Sequence, residues 1–174
     1  MRVKARLYSD AMTRPVRLLA VLLLVATMHR VQAQEAIYVV RHAERADDSA
    51  DAELSSEGMR RSNNLSALLA SAGVNRIFTS ERKRTIQTAA PLAKALRIES
   101  AIVDASDEDA LIQRVRASRP SDRVLIVGHS NTVPSIIRRL GAKESITIPD
   151  AEFDNLFIVV PQKNAPSTLL RLKY

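Results

Sequence analysis

Two histidines follow apolar runs of this sequence at equivalent points, each placed where a run ends. His42 comes after the run at residues 36–40, with Arg41 between them, and His129 follows the run at residues 124–127 after one glycine. A neutral imidazole has an ordinary pKa of about 6.5 and is a competent nucleophile near neutral pH. One histidine can therefore accept a phosphoryl group on nitrogen while the other, in its protonated form, stabilises that group.

A second arginine, Arg84, follows a third apolar run, with Ser80 between the two. Several cations are costly to bury together unless an anion meets them. The planar guanidinium groups of Arg41 and Arg84 favour a phosphate, because each can donate two parallel hydrogen bonds to its oxygens. A helix that begins just after His129 adds backbone N–H groups and the positive end of its dipole. These residue types predict a phosphate-binding site capable of phosphoryl transfer.

The elements that must position these residues are predicted from the apolar pattern. Strands buried on both faces are expected at residues 36–40, 76–79, 124–127 and 156–160, with weaker ones around Ile102 and at residues 168–172. Helical patterns alternate with them, which predicts an α/β fold: three α/β/α layers around a mostly parallel sheet. In such sheets, ligands bind outside the carboxyl ends of the strands, where both histidines are expected.

Four segments have the apolar spacing of amphipathic helices. The first is expected to begin at Ser55 and end before Gly73, the third to begin at Ser106, and the fourth to end before Gly141. Pro91 is expected to kink or split the second helix. The apolar residues that define the four segments are Leu65, Leu68, Leu69 and Ala72; Ile86, Ala89, Ala90 and Ala93; Leu111, Ile112 and Val115; and Val133, Ile136, Ile137 and Leu140.

Four motifs resemble those of the histidine phosphatase superfamily, which includes the cofactor-dependent phosphoglycerate mutases. They are RHAE at residues 41–44, where the family has RHG, LSxxG at 54–58, TSERKRTIQTA at 79–89 and GHSNT at 128–132. The motifs stand in the family's order across residues 36–160, and the set is far more specific than any single motif. The resemblance implies a phosphoglycerate mutase-like fold and a small phosphatase member of the family.

The resemblance also assigns roles to the residues in these motifs. It implies that His42 becomes phosphohistidine, with Arg41, Arg84 and His129 around the phosphoryl oxygens. The spacing within the third motif favours Arg84 over Arg82 as the second arginine.

Four further residues are open to two interpretations. Asn131 and Ser80 are expected to contact the phosphate, and helix-cap and turn roles explain them equally well. Larger family members carry a general acid between the second and third core strands. In this chain that stretch is short; Asp104 and Glu108 are the candidate acids, and an acidic helix N-terminus is the alternative. Without an acid, good leaving groups or labile phosphoramidates would be preferred over alkyl phosphates.

The first 33 residues have the pattern of a secretory signal peptide. A positively charged stretch precedes the apolar run at residues 18–26, and small residues lead to an expected cleavage after Ala33. The run is shorter than the about 20 residues that span a bilayer, so no membrane span is expected to remain after cleavage. We expect a signal peptide at residues 1–33, beginning at the first methionine or at Met12, and one secreted or periplasmic domain at residues 34–174. An uncleaved anchor at the inner membrane is the alternative.

Composition excludes several other functions. The absence of cysteine excludes a disulfide scaffold, a thiolate zinc site, an iron–sulfur cluster and a cysteine nucleophile. The net charge of +7 arises mainly in residues 1–33, which hold six basic residues and one acidic residue, and aromatic residues make up 3% of the chain. No nucleic-acid partner is therefore expected. No HxxxH spacing is present, so neither a metal nor another cofactor is expected.

The sequence therefore predicts an exported, metal-independent phosphatase that acts through phosphohistidine. Its expected partner is a small phosphorylated substrate or a phosphoprotein, selected by the variable loops at residues 46–53 and 142–154. Two alternatives remain: a phosphoglycerate mutase-like phosphotransferase and a non-catalytic phosphate-binding module of the envelope. The sequence leaves the oligomeric state open.

Overall fold

The structure is a computed structural model that describes residues 36–174. The predicted signal peptide at residues 1–33 lies outside this range. Strands and helices alternate along the described residues in the order β1 (Ala36–Arg41), α1 (Ser56–Leu69), β2 (Arg76–Thr79), α2 (Lys83–Leu96), β3 (Ser100–Ile102), α3 (Glu108–Arg116), β4 (Arg123–Gly128), α4 (Thr132–Arg139), β5 (Asn155–Val160) and β6 (Thr168–Lys173).

The strands form one sheet in the order β3-β2-β4-β1-β5-β6. The four strands from β3 to β1 are parallel to their neighbours, and β5 and β6 are added antiparallel. The predicted α/β fold with a mostly parallel sheet is therefore confirmed. In the centre of the sheet, Arg41 at the end of β1 lies opposite Gly128 at the end of β4. This register brings the residues that follow, His42 and His129, to neighbouring points on one edge of the sheet.

Helices cover both faces of the sheet, because apolar side chains alternate along the central strands. Val39 of β1 packs in a buried cluster with Ile136 of α4, on the face that α3 and α4 cover. The next residue, Val40, packs with Leu65 of α1 in a second cluster, on the face that α1 and α2 cover. Each central strand is therefore buried on both sides, which fixes the position of its carboxyl end.

The helices differ from the sequence predictions in three details. Leu68 is about half exposed, because α1 buries a narrower face than its apolar spacing indicates. The N-cap of α3 is Asp107 rather than Ser106, and its carboxylate accepts a hydrogen bond from the backbone N–H of Ala110 at 2.9 Å. Pro91 lies inside one continuous helix, α2.

The position of Pro91 has a local explanation. Proline has no N–H to donate to the carbonyl four residues earlier, which here is Gln87. The hydroxyl of Ser62 on α1 donates to this carbonyl instead, at 3.0 Å. The neighbouring helix thus satisfies the acceptor that proline leaves free, and α2 continues.

Candidate active site

The two predicted histidines lie side by side where β1 and β4 end. The ring centroids of His42 and His129 are 5.3 Å apart, and the rings meet edge to face. Both side chains are buried, with 5% and 8% of their surface exposed. The backbone N–H of His42 donates to the carbonyl of Gly128 at 2.9 Å, which extends the strand pairing by one residue and fixes the pair.

Ala43 and Glu44, which follow His42, are held by residues of α1 and α2 that belong to, or lie near, the other predicted motifs. The backbone N–H of Ala43 donates to the hydroxyl of Thr88 on α2 at 2.9 Å. The carboxylate of Glu44 accepts from Arg61 of α1 at 2.8 Å. A side chain at Gly58 would collide with the carbonyl of Glu44, so α1 can approach this loop only with glycine there. The motifs therefore build the support for His42.

One ring nitrogen of His42 is fixed by a hydrogen bond. Nδ1 lies 2.8 Å from the backbone carbonyl of Ala43. Because a carbonyl only accepts, Nδ1 must carry the proton, and the lone pair of the neutral ring is on Nε2. Burial lowers the pKa of His42 to about 3, against the hydrogen bond to Ala43, and the charges of His129, Arg84 and Arg41 lower it further. Nε2 is therefore unprotonated, as a nucleophile requires.

His129 is held by a serine. Its Nε2 lies 3.1 Å from the hydroxyl of Ser80, which also contacts the hydroxyl of Thr85 at 2.9 Å. Burial, followed by the charge of Arg84, lowers the pKa of His129 to about 4. The protonated form expected from the sequence is therefore not the form of the empty site at neutral pH. A bound phosphate favours protonation, because an anion stabilises the imidazolium.

Ser80 has a different position from the one expected. It is buried and contacts His129, and it is not among the residues that line the pocket in front of His42. Ser80 therefore positions a histidine. Asn131, by contrast, lines the pocket, is exposed, and makes no side-chain cap bond at the start of α4. Its amide is thus available to a ligand.

The two arginines each hold a loop and keep donors free. One terminal nitrogen of Arg41 donates to three backbone carbonyls within residues 149–152, at 2.9–3.2 Å. One terminal nitrogen of Arg84 donates to the carbonyl of Ala50 at 2.9 Å. The Nε atoms of both arginines are buried and have no hydrogen-bond partner among the described residues. Unpaired buried donors are costly, and an anion would satisfy them.

Arg84 and Arg82, the two candidates for the second arginine of the site, differ in their position relative to the pocket. Arg84 lines the pocket, and burial lowers its pKa. Arg82 is not among the lining residues and pairs with Glu81 at 2.9 Å.

A pocket of about 380 Å³ opens in front of the histidines. Its volume suits a small phosphorylated group. It is lined by Arg41, His42, Arg45, Arg84, His129, Ser130, Asn131, Asp150 and Phe153.

The two candidate acids lie outside this pocket. Asp104 accepts hydrogen bonds from the backbone N–H and the hydroxyl of Ser106, at 2.8 and 2.6 Å. Glu108 accepts from the hydroxyl of Ser135 at 2.7 Å. Both line a separate cavity of about 20 Å³ beside His129. The residues that follow β3 are thus placed for the start of α3 and not for a group bound at His42.

Two residues of the segment 142–154 line the pocket and were not predicted as site residues from the sequence. Phe153 lies under Arg41, with the guanidinium carbon 4.0 Å from the ring centroid, and its ring is 6.1 Å from that of His42. Asp150 is an exposed acid in the same loop. Both lie in the segment 142–154, which was predicted only as a variable loop. No spacing pattern marks them, because an irregular loop has no periodicity.

Residues 36–174 contain neither a membrane-spanning helix nor a metal-binding cluster. This part of the chain has no helix long and apolar enough to cross a membrane. In the same range, no three histidine or acidic side chains lie close enough together to hold a metal ion.

The fold and the site define a class of protein. The family model described as "Histidine phosphatase superfamily (branch 1)" matches residues 37–109. This range includes His42 and Arg84, whereas His129 and the strands β4 to β6 follow it. Over this range the chain is similar to the histidine phosphatase superfamily, and the similarity supports a phosphatase activity. No curated protein matches the chain by sequence.

Several solved structures share this fold. The protein histidine phosphatase SixA, solved with tungstate, is 18% identical; the match covers 79% of this chain and 96% of SixA, with a TM-score of 0.63. Mycobacterial hydrolase 1 is 13% identical, with 81% and 99% of the chains covered and a TM-score of 0.65. A mycobacterial glucosyl-3-phosphoglycerate phosphatase is 11% identical, with 80% and 98% covered and a TM-score of 0.62. The predicted phosphoglycerate mutase-like fold is confirmed.

Proposed function

We propose that this protein is an exported phosphoric monoester hydrolase that forms phosphohistidine on His42. One observation carries the proposal. The Nδ1 atom of His42 is bound to a carbonyl, so Nε2 is the free nitrogen, and His42 lines a pocket that two arginines with unpartnered buried donors also line. A nucleophile surrounded by donors for oxyanions is the arrangement that phosphoryl transfer requires.

In the proposed reaction, the Nε2 lone pair of His42 attacks phosphorus and forms an N–P bond. The bond from phosphorus to the leaving group breaks, and the leaving atom keeps the electron pair and takes a proton that comes from solvent, directly or through a side chain of the pocket. Arg41 and Arg84 donate to the phosphoryl oxygens, and His129 is protonated as the phosphate enters. Water then attacks phosphorus, the N–P bond breaks, and its electron pair returns to Nε2. Phosphate and a proton leave the site.

The substrate proposed is a phosphate ester or a phosphoramidate, carried by a small molecule or by a phosphoprotein. SixA, a structural neighbour, is a protein histidine phosphatase, and its structure contains tungstate, a tetrahedral oxyanion like phosphate. A second neighbour is named for a phosphorylated small molecule. The proposed reaction requires no metal ion and no cofactor, because arginine and histidine side chains supply the positive charge.

Export is a separate part of the proposal and rests on residues 1–33, which have a charged stretch, an apolar run and a small-residue cleavage site. N-terminal sequencing of the protein from a fractionated bacterial culture tests it. We expect a periplasmic or secreted protein that begins at Gln34. A full-length protein in the membrane fraction would instead support the anchored alternative.

Turnover of an aryl phosphate by the full chain, with a chelator present, tests the activity. Arg84→Ala and Arg82→Ala form a matched pair of variants, because the two arginines are neighbours in sequence and only the first lines the pocket. We expect hydrolysis by the wild type, a loss of roughly 10²-fold or more in Arg84→Ala, and little change in Arg82→Ala. A folded chain that binds vanadate but turns over no phosphate would instead be the phosphate-binding module.

A further inference from the structure

The pocket in front of His42 contains one acid among its nine lining residues, Asp150. The other lining side chains are cationic, neutral or aromatic. An ester with a poor leaving group needs a proton donor at the leaving oxygen. Asp104 and Glu108, the acids predicted from the sequence, are bound elsewhere. Among residues 36–174, Asp150 is therefore the acid that lines the pocket in which a leaving group would be bound.

The backbone of Asp150 is fixed, although its side chain is not. Its carbonyl accepts from Arg41 at 2.9 Å, and Arg41 also binds the carbonyls of Pro149 and Glu152. Arg41 is itself buried. The segment that carries Asp150 is thus tied to the residue that precedes the nucleophile.

The carboxylate of Asp150 makes no hydrogen bond and no ion pair with any residue in the described part of the chain. The next two acids of this loop are bound to the same lysine. Glu152 contacts the ammonium group of Lys173 at 2.8 Å, and Asp154 contacts it at 2.7 Å. Because Asp150 is exposed and without a partner, its carboxyl group is free to meet a bound molecule.

The negative charge of Asp150 also acts on Arg41, a residue of the phosphate-binding site. Burial lowers the pKa of Arg41, and the negative charge of Asp150 is the largest effect opposing it. The carboxyl group therefore lies in the electrostatic field of the phosphate-binding residues.

We propose that Asp150 is the general acid of the reaction and protonates the leaving group. The inference rests on the phosphatase function proposed above. As Nε2 of His42 forms its bond to phosphorus, the P–O bond breaks, and the oxygen takes the electron pair and the proton of the Asp150 carboxyl group. In the second step the carboxylate takes a proton from the attacking water. The N–P bond then breaks, and Asp150 and His42 return to their starting states.

The test is a leaving-group series with the full-length Asp150→Asn variant. Asparagine keeps the size of the side chain and removes the proton. Asp154→Asn is the matched control, since it makes the same change in the same loop at an acid that is bound to Lys173. The substrates are p-nitrophenyl phosphate, phenyl phosphate and an alkyl phosphate. The value compared is kcat/KM, which includes departure of the leaving group and excludes hydrolysis of phosphohistidine.

We expect kcat/KM of Asp150→Asn for p-nitrophenyl phosphate to stay within roughly threefold of the wild-type value. For the phenyl and alkyl phosphates, kcat/KM should fall roughly 10²–10⁴-fold. With p-nitrophenyl phosphate, phosphohistidine should accumulate in this variant, because the base of the second step is missing. Asp154→Asn should follow the wild type throughout. Retained p-nitrophenyl phosphate hydrolysis in Asp150→Asn also reports that the variant is folded.

Three results would overturn the inference. An equal loss with all three substrates would make Asp150 a positioning residue, and no loss with any substrate would give it no role. A loss that depends on the leaving group in Asp104→Asn or Glu108→Gln, with Asp150→Asn unchanged, would place the acid after β3. In each of these cases the wild type still hydrolyses phosphate esters, so the proposed function stands. A wild type that hydrolyses none of the substrates would overturn both proposals.

Discussion

Two walls of the pocket are built in different ways. The strand-end wall consists of Arg41, His42 and His129, which are buried and follow from the pairing of β1 with β4. The loop wall consists of residues 149–153 and has no regular secondary structure. Its contacts with Arg41 are made by backbone carbonyls and by the ring of Phe153. Arg41 belongs to the first wall and holds the second.

The difference indicates how the work is divided. Attack on phosphorus needs a fixed angle and distance, which adjacent parallel strands provide. A leaving group varies with the substrate, and a loop can change in sequence without disturbing the sheet. We therefore expect the strand-end wall to control whether phosphoryl transfer occurs, and the loop wall to control which groups leave.

The largest effect is expected from the strand-end wall. His42→Ala removes the nucleophile and should reduce kcat/KM for aryl phosphates by roughly 10⁴-fold or more. Phosphate should still raise the melting temperature of this variant, because the arginines remain. If His42→Ala kept more than a tenth of the wild-type activity, the division between the walls would have no basis.

Arg41→Lys changes both walls and should have the next largest effect. Lysine cannot reproduce the planar guanidinium that serves three loop carbonyls and a phosphate at once. We expect kcat/KM to fall roughly 10²–10³-fold, with a lower melting temperature. Arg82→Lys, at an arginine outside the pocket, should remain within about threefold of the wild type. A purely kinetic defect, without loss of stability, would mean that Arg41 does not hold the loop.

The strand-end wall should also make the protein less stable in weak acid. His42 and His129 have pKa values lowered to about 3 and about 4, whereas the unfolded chain takes up protons near the ordinary value of 6.5. Between these limits the unfolded state binds more protons, so the free energy of unfolding falls as the pH drops below about 6.5. The slope should approach about 1.4 kcal/mol per pH unit for each histidine.

Denaturation in urea at pH 7 and pH 5 measures this slope. Phosphate should reduce it, because an anion favours the protonated imidazoles. A variant that replaces both histidines with asparagine should show a flatter dependence. Equal stability of the wild type at the two pH values would contradict the burial of neutral histidines.

The smallest effect is expected from Phe153→Leu in the loop wall. This change removes the ring under Arg41 and keeps apolar volume. The contact of a cation with an aromatic ring is worth ~0.5–2 kcal/mol. We expect kcat/KM to fall roughly tenfold or less, and by different factors for different leaving groups. The same factor for every leaving group would place Phe153 functionally with the strand-end wall.

The strand-end wall could be predicted from the sequence because its residues follow apolar runs and occupy motifs. The pairing of β1 with β4 then brings His42 next to His129, as parallel topology requires. The helix is not split at Pro91, because the carbonyl that proline leaves free is satisfied by Ser62, a residue of another helix. Contacts of this kind depend on tertiary packing and leave no local pattern.

The loop wall could not be predicted from the sequence. Asp150 and Phe153 reach the pocket because Arg41 binds carbonyls of their loop, and backbone carbonyls are the same in every residue. Asp104 and Glu108 were predicted as candidate acids instead, because the acidic stretch at residues 104–109 corresponds to the place where larger family members carry a general acid. In the structure, Asp107 in that stretch caps α3. Composition alone does not distinguish an acid that caps a helix from one that faces a substrate.

Trapping the phosphorylated enzyme tests the central claim most directly. The full chain would be mixed with a ³²P-labelled aryl phosphate, quenched within milliseconds and analysed for protein-bound phosphate. The account predicts a phosphoryl group that is labile in acid and stable in base, maps to His42, and is absent from His42→Ala. Steady hydrolysis by the wild type with no protein-bound phosphate, or with the label on another residue, would contradict it.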